Sequence, residues 1–350
     1  FSVCFSSHGN HFFLCWCNNS SQVSIYRESF KMSFVSQPWS NISVEFDDVG
    51  LLERVITFTL CTIPSCVFLF INGTMLFTLR SKSVLRDTCR YILLFNLLIA
   101  DTAQLAVCQV LFLLSVCRIT LTYPVCGMLT VFANITNVIS PLTLMVMSLE
   151  RCVAVCLPLR HAMIVTIRNT RLAIIAVWTS SSLHNIFRVI LMLDFPFEDL
   201  DSLQMTSLCS DLAMQLGPRS KVYDNAFTVF LFATAATVII SSYVGVIIAA
   251  RSASTGKAST LKARNTLMLH LVQLCLSLSS TIYNPLLVAL LKIIQSVGFI
   301  RLNKFLYVLI ILFPRCLSSL IYGLRDQTIR PILLGHLGCQ RRLKTVPDSG

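Results

Sequence analysis

Residues 125–149 read VCGMLTVFANITNVISPLTLMVMSL, and residues 150–161 continue ERCVAVCLPLRH. The first segment is 25 residues long and uncharged; the second opens on Glu150 and Arg151 and ends on Arg160 and His161. Crossing the roughly 30 Å hydrocarbon core of a bilayer takes about 20 helical residues, since lipid offers the backbone no hydrogen-bond partner. An uncharged run of this length closed by a Glu-Arg pair therefore reads as a membrane-spanning helix whose polar end lies at one surface. Stretches of the same kind fall at 55–79, 91–117, 172–193, 225–250, 265–291 and 302–324, which makes seven candidate spans. Those at 172–193 (His184, Arg188) and 302–324 (Lys304, Arg315) are the weakest on hydropathy alone.

The whole chain of 350 residues agrees, being 55% hydrophobic and only 13% charged, where soluble domains carry about 25% charged residues. Its formal charge of +12 is spread in short basic clusters between apolar stretches, so lipid rather than nucleic acid is the expected partner. The clusters around Arg80–Arg90, Arg160–Arg171, Arg251–Arg264 and Arg325–Lys344 all fall on one side of the bundle, which is then cytoplasmic. Glu45, Asp47, Asp48, Glu198, Asp199 and Asp201 fall on the other. The expected architecture is an all-α membrane protein, a seven-transmembrane helix bundle with an extracellular N-terminus and a cytoplasmic C-terminus. Residues 1–54 form the external tail, 55–324 the membrane domain, and 325–350 a cytoplasmic amphipathic helix and tail.

Met32 opens a plausible start, so residues 1–31 read as a gene-model extension; without a basic n-region they do not read as a signal peptide. Asn41-Ile42-Ser43 is a glycosylation acceptor on the external tail, whereas the matches at Asn72 and Asn134 lie inside spans. Most of the fifteen cysteines lie within apolar runs, where a thiol behaves as a small hydrophobe. Neither a catalytic motif, a metal motif nor a phosphate-binding glycine loop occurs, so no enzyme activity and no cofactor are expected.

Two charges inside the spans can be placed by counting. Asp101 lies 11 residues past Arg90 and Arg315 lies 10 before Arg325, depths of roughly 16 and 15 Å from the cytoplasmic edge. Each alone costs about 2.5–3.5 kcal/mol at a helix centre, so facing one another is the least costly arrangement. The expectation is an Asp101–Arg315 ion pair; the alternative is an Arg315 that faces a water-filled cavity.

The Glu150-Arg151-Cys152 run and its Pro158-Leu159-Arg160-His161 continuation resemble the Asp/Glu-Arg-Tyr region of rhodopsin-like G-protein-coupled receptors in their odorant-receptor, fish-type form, with Cys152 in the tyrosine's place. Asn96-Leu97 through Asp101 is similar to the family's second-helix signature, Trp178 to the lone tryptophan of its fourth helix, and residues 314–325 to its seventh-helix ending. There Ser318 and Ser319 replace the usual Asn and Pro, which straightens the helix. Ala235 stands where the fifth helix usually has proline.

That resemblance implies roles for particular residues. Glu150, Arg151, Tyr243, Pro285 and Tyr322 would serve activation and G-protein coupling, with Pro285 kinking the sixth helix. Cys126 would be bridged to Cys209, and Asp101 would sit where the family often holds sodium, a place taken here by the Arg315 cation. The odorant pocket would fall among Ala133, Asn134, Asn137, Val138, Phe227, Leu231 and Tyr283. Cys339, just after the amphipathic stretch, is a palmitoylation candidate. The implied protein is an odorant receptor of the plasma membrane, in the cilia of olfactory neurons. It would bind a small-molecule odorant and activate a heterotrimeric G protein of the stimulatory kind that raises cAMP, with membrane lipids as further partners.

Two alternatives stay open at this level: a rhodopsin-like receptor for a non-odorant small ligand, and a transporter or channel. No carboxylate lies on the outer half of the third span, which opposes an aminergic ligand. Arg188, Lys292 and Lys304 either favour an anionic ligand or anchor helix ends at the interface.

Overall fold

The computed structural model describes residues 3–7, 12–16, 51–194, most of 203–252, scattered helical positions from 265 to 290 and parts of 302–336. Phe1–Val49 and Gly50–Gly350 are separate units. In the first, β1 (Val3–Ser7) pairs antiparallel with β2 (Phe12–Trp16), from Val3 opposite Trp16 to Ser7 opposite Phe12. The sequence reading named no strand here. The signal lies in the aromatic and β-branched content of VCFSS and FFLCW on either side of a Gly9-Asn10 pair.

The second unit is helical apart from one isolated bridge among its described residues. Its helices are α1 (Leu51–Ser81), α2 (Ser83–Arg86), α3 (Cys89–Val116), α4 (Tyr123–Cys156), α5 (Pro158–Ile164), α6 (Ile167–Leu193), α7 (Pro218–Ser252) and α8 (Ile329–His336), with a π turn at Tyr307–Leu312. The first five candidate spans are α1, α3, α4, α6 and α7, all long and apolar enough to cross a membrane. Pro124 stands in the first turn of α4, where its missing N–H leaves no bond unmade. Thr166 caps α6 by accepting a hydrogen bond from the Asn169 N–H at 3.2 Å.

Polar side chains within the spans mostly bond back to their own helix. Ser65 donates to the Cys61 carbonyl, Thr78 to Thr74, Thr130 to Cys126 and Ser148 to Leu144. Such back-bonding keeps hydroxyls satisfied where water is absent. Large apolar side chains point outward as well as inward: Phe70, Phe77 and Phe230 are 64%, 64% and 66% exposed. Phenylalanines so exposed on long apolar helices suit a lipid surround.

The bundle is organised around α4, which packs against α3, α6 and α7, while α3 packs against α1. Leu93, Leu94, Leu97 and Leu98 of α3 meet Leu144 and Met147 of α4, Ala235 and Ile239 of α7, and Met75 and Leu79 of α1. Ile329 opens α8 and is fully buried in the same cluster, which fastens α8 to α1. Two motif residues that looked unrelated in the sequence also meet. The Trp178 indole donates to Asn96 Oδ1 at 2.8 Å, and Asn96 Nδ2 donates to Thr143 at 2.9 Å, joining α6, α3 and α4 through one amide.

Candidate functional site

Midway along α3 and α4 the structure brings together Asp101 of α3, Ser140 and Asn137 of α4, and Arg315. Arg315 donates to Asp101 Oδ1 at 2.7 Å and to Ser140 Oγ at 2.8 Å, and Ser140 donates to Asp101 at 2.7 Å. Its other terminal nitrogen donates to Asn137 Oδ1. Asp101 and Arg315 are each 2% exposed, so the guanidinium lies among fixed acceptors of two helices rather than facing a water-filled cavity. Arg315 comes three residues after the π turn at Tyr307–Leu312. A π turn holds an extra residue and so rotates the side chains beyond it about the helix axis. The hub thus explains why an arginine is tolerated in the seventh span.

The N-terminal end of α4, the outer one in the expected orientation, carries a second charged cluster. Arg188 of α6 pairs with Asp211 at 2.9 Å and with Asp224 of α7 at 3.0 Å. Asp211 also accepts from the Asn134 amide at 2.6 Å. Cys126 and Cys209 are disulfide-bonded with their Cα atoms 5.6 Å apart. Beside the disulfide, the Tyr123 N–H donates to Leu203 and the Met205 N–H to Leu121, both at 3.0 Å, which docks the loop on the start of α4. His184 stacks on Phe227 with ring centroids 3.5 Å apart and shares a hydrogen bond with the Tyr223 hydroxyl at 3.1 Å. Because Arg188 is committed to two carboxylates, it is not an open anion site, and the reading of Arg188 as favouring an anionic ligand is set aside.

At the opposite end of α4, Arg151 pairs with Glu150 at 2.8 Å, and His161 Nε2 lies 3.8 Å from the same carboxylate. Tyr243 is half-buried on α7. Of the predicted ligand residues, Val138 and Leu231 are buried at 5% and 4% exposure, and Ala133, Phe227 and Tyr283 are half-buried. Asn134 and Asn137 are both engaged within the protein, one in the outer cluster and one in the central hub. Pro285, Tyr322, Asn41 and Cys339 lie outside the described residues.

Residues 71–322 match the seven-transmembrane receptor (rhodopsin) family, and that segment covers the hub, the outer cluster and the Glu150-Arg151 pair. The chain belongs to this family. It is 33% identical over 263 residues to Odorant receptor 131-2 of Danio rerio, covering 75% of this chain and 79% of that one, which places it with the odorant receptors. It is therefore a multi-pass membrane receptor with seven spans, and not an enzyme.

Sequence reasoning missed two residues of the receptor's outer cluster, Asp211 and Asp224. Asp211 carried a usable signal: it stands two residues after Cys209, so pairing Cys209 with Cys126 tethers its carboxylate beside the top of α4. Asp224 sits six residues inside α7, one turn before Phe227. Its distance from any motif hid it.

Proposed function

We propose that this receptor binds a small odorant in the outer half of its bundle and thereby activates a stimulatory heterotrimeric G protein, raising cAMP. Its N-terminus is external, its C-terminus cytoplasmic, and its site of action the plasma membrane of olfactory neurons, in their cilia. The observation that carries this reading is the placement of Asn134 and Asn137 one turn apart on α4. Asn134 is fastened to the outer ion cluster and Asn137 to the central Arg315–Asp101 pair. A ligand seated along Ala133, Asn134, Asn137, Val138, Phe227, Leu231 and Tyr283 bears on both at once. A shift of α4 there reaches Glu150 and Arg151 through one continuous helix. Pro285, Tyr243 and Tyr322 would respond on the neighbouring helices, Asn41 would carry a glycan, and Cys339 would carry a palmitoyl chain beside anionic lipid.

The experiment is a cAMP-coupled odorant screen in cells that express the receptor, with Arg151→Ala as control. Odorant-dependent cAMP that vanishes in Arg151→Ala at equal surface abundance supports the reading, and ion flux without G protein overturns it. The charged clusters give two more expected outcomes. With Arg315 in the cation's place beside Asp101, odorant potency stays unchanged when sodium is replaced by N-methylglucamine at constant ionic strength; a clear sodium-dependent shift contradicts this. With Arg188 shared between Asp211 and Asp224, a carboxylic acid activates more weakly than the alcohol or aldehyde of the same carbon skeleton. A dose–response series over the three checks it, and greater potency of the acid would refute it.

A further inference from the structure

Cys152 and Cys156 occupy the last turn of α4, and their Sγ atoms are 3.7 Å apart. Both are half-buried and face Gly245 of α7. A Cβ at that glycine would meet Cys152 Sγ at 3.3 Å and Cys156 Sγ at 3.6 Å, so the sulfur pair fills the space a side chain at 245 would take. Arg151 immediately precedes the pair, and Tyr243 lies two residues from Gly245. Any change in these sulfurs is therefore felt at the α4–α7 contact beside Arg151.

The spacing is that of a dithiol able to close under a small distortion. Helical residues four apart have Cβ atoms about 5–6 Å apart, whereas a disulfide holds them at about 3.5–4.5 Å. Closure thus needs the two Cβ atoms to approach by about 1–2 Å, a local distortion of the kind that a fraying helix end allows. Here the helix does end: Cys156 is its final residue, and Leu157 has already left helical geometry with φ −131° and ψ 57°. A bond formed under such strain is easily reduced again.

We propose that Cys152 and Cys156 form a reversible peroxide-responsive dithiol that lowers G-protein coupling when oxidised. The site rests on the proposed membrane orientation, which puts it on the cytoplasmic side, where thiols are kept reduced and a disulfide serves as a signal rather than a staple. The Cys156 thiolate, at the last residue of the helix, attacks the peroxide O–O bond, giving a sulfenic acid and releasing water after proton uptake. The Cys152 thiol then displaces the sulfenic oxygen, which leaves as water with that thiol's proton, forming the S–S bond. Overall two thiols are oxidised and one hydrogen peroxide is reduced to two waters. A cellular dithiol reverses the step by exchange. Closing the bond shortens the 3.7 Å Sγ–Sγ distance to about 2 Å and so repacks the sulfur pair against Gly245, next to Arg151.

The test uses the full-length receptor in isolated membranes, treated with hydrogen peroxide, alkylated and cleaved after arginine. The segment 152–160 is released by cleavage after Arg151 and Arg160 and contains both thiols and no other cysteine. The expected result is this peptide unalkylated and lighter by two hydrogens than the reduced form, with G-protein nucleotide exchange lowered several-fold and restored by dithiothreitol. Cys156→Ser, compared with itself before and after peroxide, loses the sensitivity. A peptide that stays doubly alkylated, or a bond that forms with no change in exchange, overturns the proposal. Absence of exchange in every redox state would instead count against the receptor reading, while the peptide still reports whether the bond forms.

Discussion

Asp101→Asn or Arg315→Gln alone is expected to strip most of the receptor from the cell surface. Each leaves a charge at 2% exposure without its partner, a loss of about 3–5 kcal/mol for a buried ion pair broken on one side. The remaining ligands cannot compensate. In Asp101→Asn the guanidinium keeps Ser140 and Asn137, which are neutral, and in Arg315→Gln the carboxylate keeps the neutral Ser140 hydroxyl but no cation. The double variant removes both charges and leaves an Asn, a Gln, a Ser and an Asn to bond among themselves. Its surface abundance and thermal stability should therefore recover well above either single variant. A double variant no better than the singles would show that the pair does not act as a unit.

Cys126→Ser or Cys209→Ser is the second large effect. The bond closes a loop of 83 residues' separation, and removing a native disulfide typically costs about 2–5 kcal/mol. In this receptor the loss extends beyond the crosslink. Cys209 holds the loop that carries Asp211, and Asp211 is the point where Arg188 and Asn134 converge. Both variants are expected to be retained inside the cell and to lose odorant response, measured as surface fraction and cAMP. Asp211→Asn separates the two contributions. It keeps the crosslink, so it should reach the surface while its odorant dose–response moves. A Cys209→Ser receptor that matures and signals normally would contradict the role given to the loop.

Much of this was legible in the sequence because a helix has a fixed rise. Counting residues placed Asp101 and Arg315 at one depth, and the cost of burying either alone pointed them at each other. Rotation about the helix axis is harder to read. A helix apolar on all sides gives no periodic stripe, so nothing marked Ser140 and Asn137 as the side of α4 that faces Arg315. The same blindness hid the hydrogen bonds that Asn134 and Asn137 make within the protein. The π turn at Tyr307–Leu312 lies in the uniformly apolar run YVLIIL, where an added residue per turn leaves no trace in composition. Trp178 and Asn96 were each recognisable as motif residues, but only packing reveals that one donates to the other.

The most direct test of the central claim is guanine-nucleotide exchange on a purified stimulatory G protein with this receptor in lipid nanodiscs. An odorant identified in cells should accelerate exchange, and Arg151→Ala should bind that odorant with unchanged affinity yet produce no acceleration. Exchange that persists undiminished in Arg151→Ala, or a wild-type receptor that binds the odorant and never accelerates exchange, would contradict the account.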